Sequence, residues 1–143
     1  MKKLWTCPKC GRAFANANQE HSCMTRPIDE HFEGRSPQVR ELYEAFKSEV
    51  ERCGPILVQS VKTRIAFQVR MNFAAVHTRK NYLRCHLVLA RRTEDEIFDR
   101  VTTFGPGNHL YEFTLREKTQ LKALRPYIQE SYGVGCQEHL KRS

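Results

Sequence analysis

The stretch TRIAFQVRMNFAAVHTRKNYLRCHLVLA, residues 63–90, decides the fold class. In its first part Ile65, Phe67 and Val69 alternate with Arg64, Gln68 and Arg70. In its last part Leu83, Cys85, Leu87 and Leu89 alternate with Tyr82, Arg84, His86 and Val88. A period of two belongs to strands with one buried face. FAAVHT between them reads as a further strand, and Thr78-Arg79-Lys80-Asn81 as the turn into the last one. ILVQSVK upstream and HLYEFTL downstream extend the series, with FGPGN as a loop before HLYEFTL.

Helical patterns flank the strands. Ser36-Pro37 supplies an N-cap residue followed by proline at the first helical position. Val39, Leu42, Tyr43, Phe46 and Val50 then follow at helical spacing until Gly54-Pro55 ends the run. The segment KTQLKALRPYIQESYGVG predicts a final helix kinked at Pro126, and EDEIFDR a helical turn or short helix. Strands in a meander between two helices predict an α+β domain over residues 27–143. Its mainly antiparallel sheet carries the helices on one face. No apolar run approaches the roughly 20 residues of a membrane helix. The start MKKLWTC has no apolar stretch behind it, so the chain is expected in the cytoplasm.

Residues 1–26 form a second unit. Within CPKCGRAFANANQEHSC, residues 7–23, stand Cys7, Cys10, His21 and Cys23. A Cys-x-x-Cys lets two sulfurs meet one ion, and His21 and Cys23 share a side of an extended segment. Thiolate and imidazole suit tetrahedral Zn²⁺, and four protein ligands predict a closed structural site in a zinc-finger-like module. His31 is close enough in sequence to stand in for His21. The His-x-Cys spacing leaves no room for the recognition helix of a DNA-reading finger.

Charge is uneven. The chain carries a net +8, yet from Arg52 to Thr93 there are nine cations and no acid. If helices cover the Ile65/Phe67/Leu87 side, the other sheet face presents Arg64, Gln68, Arg70, Arg84 and His86, with Tyr82 beside them. Such a face can hold phosphates or stack a base. This leads to the expectation of a binding protein that engages nucleic acid or another polyanion. One alternative is a small anionic ligand, or an enzyme's substrate, in a pocket lined by Arg64, Arg70, Arg84, His86 and His109. Another is a protein-interaction adaptor. No paired carboxylates, phosphate loop or nucleophile elbow is present, so no catalytic residue is assigned and a non-enzymatic role is expected.

Three blocks carry a likeness. LWTCPKCGRAFANANQEHSC, then DEHFEG, then VKTRIAFQVRMNFAAVHTRKNYLRCHLVL resemble a bacterial family known as domain of unknown function 5655, here with an N-terminal zinc-binding extension. The resemblance covers nearly the whole chain. It implies a small α+β domain, sometimes joined to modules related to restriction and defence. It implies no reaction and no catalytic residue, and it implies an uninterrupted final helix, from which Pro126 departs.

Overall fold

The structure, a computed structural model, describes residues 3–8, 13–15 and 27–138. Its centre is a six-stranded antiparallel sheet with two helices, an α+β architecture. The N-terminal strands β1 (Trp5–Thr6) and β2 (Ala13–Phe14) pair antiparallel as a separate ribbon. A 3-10 helix (Ile28–Phe32) leads into α1 (Pro37–Glu51). Then come β3 (Leu57–Ser60), β4 (Ile65–Gln68), β5 (Asn72–Thr78), β6 (Leu83–Leu89), β7 (Arg100–Gly105), β8 (Asn108–Leu115) and α2 (Gln120–Gly135). The sheet order is β3-β4-β5-β6-β8-β7. No helix among the described residues is long and apolar enough to cross a membrane.

The alternation read in the sequence positions both faces. Leu83, Cys85, Leu87 and Leu89 of β6 are all fully buried, and the residues between them are half-buried. Cys85 faces Val76 and Phe113 in register, while His86 faces Ala75 and Glu112. The first row meets the helices. Phe46 of α1 packs at 5.8 Å from Phe67 and 6.3 Å from Phe113, and Leu121, Leu124 and Ile128 of α2 complete the core. Ring pairs at such separations add to the stabilisation from burial alone. Ser131, buried in α2, donates to the Phe73 carbonyl at 2.7 Å and accepts from the Val88 amide at 3.1 Å, so no buried polar atom is stranded there.

Three local expectations differ. EDEIFDR forms a loop with a turn rather than a helix, and it delivers Phe98 into the core. VTTF, not read as a strand, belongs to β7, because Pro106-Gly107 makes a tight hairpin with β8 and Gly107 takes φ 71°. The α2 helix spans Gln120–Gly135 with Pro126 inside it. Ser36 precedes α1 as expected, but its hydroxyl makes no capping bond. Its amide instead donates to the Lys80 carbonyl at 2.8 Å, which ties the start of α1 to the β5–β6 turn.

The sheet face away from the helices is not bare. Gln59, Ala66 and Ala75 lie side by side on it in register, and all are buried. Gln68, fully buried, accepts from Gln59 and donates to the Ala13 carbonyl, so the ribbon sits on this part of the face.

Gly54 offers a stability test of the α1 terminus. Its φ is 149°, and a Cβ there would strike the Tyr132 hydroxyl, which donates to the Pro55 carbonyl at 2.8 Å. Strain plus displacement predicts that Gly54→Ala lowers unfolding free energy by about 2 kcal/mol in urea denaturation. An unchanged midpoint would contradict this reading.

Candidate anion-binding pocket

The open face brings together residues from four strands. One row runs Ala75, His86, Glu112, Arg100 across β5, β6, β8 and β7. The His86 Nε2 lies 3.4 Å from Glu112 Oε1, and Arg100 Nε lies 3.4 Å from Glu112 Oε2. Arg84 forks onto Asp99 at 2.7 and 2.5 Å and reaches Thr114 Oγ1 at 2.9 Å. That bidentate bond holds the Asp99 carboxyl below its ordinary range. The stretch that lacks acids in sequence therefore meets them in space. Asp99 and Glu112 come from beyond Thr93 and pair with the cations at the centre of the face.

His77 lies beside His86, with ring centroids 4.8 Å apart and planes tilted by 39°. Burial, then the His77 neighbour, push the His86 imidazole down to about 4, against the pull of Glu112. Burial is also the main cause of the lowered His77. Both rings are neutral at pH 7.

Cations without an ion pair among the described residues lie at one end of the sheet. In an antiparallel meander β3, β5 and β8 end at the same end of the sheet. The β3–β4 turn carries Lys62, Thr63 and Arg64, and the β5–β6 turn carries Arg79 and Lys80. Both are closed by backbone bonds of 3.0 Å, Val61 to Arg64 and Arg79 to Tyr82. Between these turns and the 3-10 helix opens a pocket of about 580 Å³ lined by Glu30, His31, Arg35, Lys62, Thr63, His77, Thr78 and Arg79. Arg35, Lys62 and Arg79 stand against the single carboxylate Glu30. None of the three takes part in an ion pair among the described residues.

Hydrogen bonds hold the pocket wall. His31 Nε2 meets Ser60 Oγ at 2.9 Å, and the backbone of Val61 bonds the same ring. Thr78 Oγ1 donates to the His31 carbonyl, and Arg35 Nε donates to Thr78 Oγ1 at 3.3 Å. Burial lowers His31, so it too is neutral at pH 7. His31 thus pins the 3-10 helix to β3 and β5. Ser60 and Val61 hold its ring.

The residues singled out in the sequence scatter. Arg84 and His86 share the open face with Glu112. Arg64 is exposed in the β3–β4 turn, near enough to lower His77 and His86. Gln68 is buried under the ribbon. Arg70 lies in the β4–β5 connection at the far end of the sheet, where Nε donates to Gln137 at 2.9 Å. His109, near the start of β8, bonds Thr103 Oγ1 at 2.9 Å. Tyr82 is half-buried in the β5–β6 turn, with the Arg116 guanidinium over its ring at 4.5 Å. Of the proposed zinc ligands, Cys7 is buried at the end of β1. Cys10, His21 and Cys23 lie outside the described residues, and no metal-binding cluster occurs among the described ones.

Sequence reading passed over Arg35, Lys62, Thr63, His77, Thr78 and Arg79. A signal was present: Lys62-Thr63-Arg64 and Arg79-Lys80 are cationic turns two strands apart in a meander, and such turns share one end of the sheet.

Together these features define a layered α+β domain with a cationic pocket at one end of its sheet. Residues 28–135 match the family described as Domain of unknown function (DUF5655), and the chain belongs to that family. No curated protein and no solved structure matches the chain.

The histidines set a pH dependence. A folded-state pKa of about 4 for His86 lies below the roughly 6.5 of an unfolded histidine. Between those values the unfolded chain binds the extra proton, so stability is full above about pH 6.5 and falls as pH drops towards 4. His86 alone accounts for up to about 3 kcal/mol of that loss, and His77 acts in the same direction. Urea denaturation from pH 7.5 to pH 4.5 should show this slope in the parent and a flatter one in His86→Gln. Parallel slopes would contradict it.

Proposed function

We propose that this protein is a binding domain for a phosphate-bearing or similarly anionic ligand. Its site is the pocket formed by Arg35, Lys62 and Arg79 with Thr63, Thr78, His31 and His77. The observation that carries the reading is the three cations on one concavity with only Glu30 to offset them. Elsewhere several arginines do pair with acids, as in Arg84 with Asp99, Arg91 with Glu130 and Arg125 with Glu49. Cations in excess of carboxylates, beside hydroxyl and imidazole groups, suit an oxyanion, which takes charge-assisted bonds from the guanidinium groups. The central open face is less suited to this role, because Glu112 and Asp99 already neutralise Arg84 and Arg100.

The N-terminal ribbon is proposed as a structural Zn²⁺ module with Cys7, Cys10, His21 and Cys23 as ligands. Support comes from the β1–β2 pairing, Trp5 with Phe14 and Thr6 with Ala13, which leaves Cys7 and Cys10 within the connection between the strands. Thiolate and imidazole donors in this number complete a tetrahedron.

Two measurements follow. Calorimetric titration with inorganic phosphate should give saturable binding that weakens about tenfold or more in Arg35→Ala/Arg79→Ala. It should stay near the parent value in Arg91→Ala/Arg125→Ala, which has the same net charge. Equal losses in both would reduce the effect to overall charge. Separately, metal analysis should find one zinc per chain in the parent and loss of it in Cys7→Ser and His21→Ala. Full zinc in both variants would remove the ligand assignment.

A further inference from the structure

The cations at this end of the sheet do not stop at the pocket. Arg64 and Lys80 follow Lys62 and Arg79 in the same two turns, and both are exposed. Arg116 directly follows β8, which ends beside the start of β6, since Leu115 pairs with Leu83. Neither Arg64, Lys80 nor Arg116 has an ion pair among the described residues. A single small anion in the pocket leaves these three without a counter-charge. A ligand with several phosphates in a row does not.

The same turn holds an aromatic group. The bond from the Arg79 amide to the Tyr82 carbonyl spans from the pocket rim to the tyrosine. Over the Tyr82 ring lies the exposed Arg116 guanidinium, 4.5 Å from the centroid. Tyrosine rings and guanidinium planes are the two surfaces on which unpaired bases stack in single-strand recognition. Paired bases in a duplex have no free face to offer such a column. A pocket of about 580 Å³ admits a phosphate and its sugar, not the width of a double helix.

We propose that the cationic sheet end binds single-stranded nucleic acid. One phosphate occupies the pocket, the following phosphates run past Arg64 and Lys80, and a base stacks on Arg116 above Tyr82. This rests on the pocket's anion-binding role and adds to it the class of ligand. The mode is backbone tracking plus stacking, so tolerance of sequence is expected. The affinity falls with salt at about 0.7 log units per log unit of salt for each phosphate held.

Fluorescence anisotropy with end-labelled oligothymidylate and oligouridylate, beside a duplex of mixed sequence, tests it near physiological salt. The expected result is tighter binding of a single strand than of the duplex, weakened about tenfold in Tyr82→Ala and in Arg116→Ala. Tyr82→Phe should keep the parent affinity, since it retains the ring. Circular dichroism confirms that each variant is folded. Calorimetric binding of inorganic phosphate should be unchanged in Tyr82→Ala and lost in Arg35→Ala/Arg79→Ala. If phosphate binds but no oligonucleotide does, or if Tyr82→Ala binds oligonucleotide like the parent, the nucleic-acid assignment falls and the pocket reading stands. If phosphate does not bind either, both fall. A preference for the DNA or the RNA strand supports the proposal and reports whether the 2′-hydroxyl is read.

Discussion

Everything in this domain depends on the strict alternation along β6. Leu83, Cys85, Leu87 and Leu89 are removed from water on the helix side, so Arg84 and His86 must point to the other face. Half-buried there, they require partners. The neighbouring strand and the loop before β7 supply them, Glu112 in register with His86 and Asp99 forked by Arg84. One hydrophobic pattern thus dictates the core, and it also dictates where acids must lie on the opposite surface.

That neutralisation is why the proposed anion site lies at the sheet end. Turn residues are under no such demand, because their side chains stay in water. Lys62, Arg64, Arg79 and Lys80 remain uncompensated, and the meander gathers them within reach of Arg35 and Arg116. The bond from the Ser36 amide to the Lys80 carbonyl, the His31–Ser60 bond and the bond from Thr78 Oγ1 to the His31 carbonyl make the pocket's wall part of the fold. In the proposed site His31, Arg35 and Thr78 are thereby pre-positioned, which would spare a ligand the cost of ordering them.

Much of the fold was legible in the sequence, for a physical reason. Periods of two and of 3.6 report one-sided burial directly, so β6, β8 and α1 could be read from their apolar residues. β7 escaped because it is an edge strand whose Val101 and Phe104 stay exposed, so burial leaves no alternation in it. The site was less legible. Charge counted along the chain cannot see Asp99 and Glu112 folding back onto Arg84, nor the ribbon settling on Gln68. Arg64 and Tyr82 were found for their chemistry, while His31 and Arg35 reach the pocket only through contacts 29 and 43 residues distant, to Ser60 and Thr78.

The central claim is that the functional cations are those of the sheet end and not those of the sheet face. Titrating ¹⁵N-labelled protein with inorganic phosphate and following backbone amide shifts tests it most directly. The account predicts the largest saturable shifts at Lys62, Thr63, Thr78 and Arg79, with Arg84, His86 and Glu112 little changed. Largest shifts centred on Arg84 and His86, or uniform small shifts over all exposed cations, would contradict it.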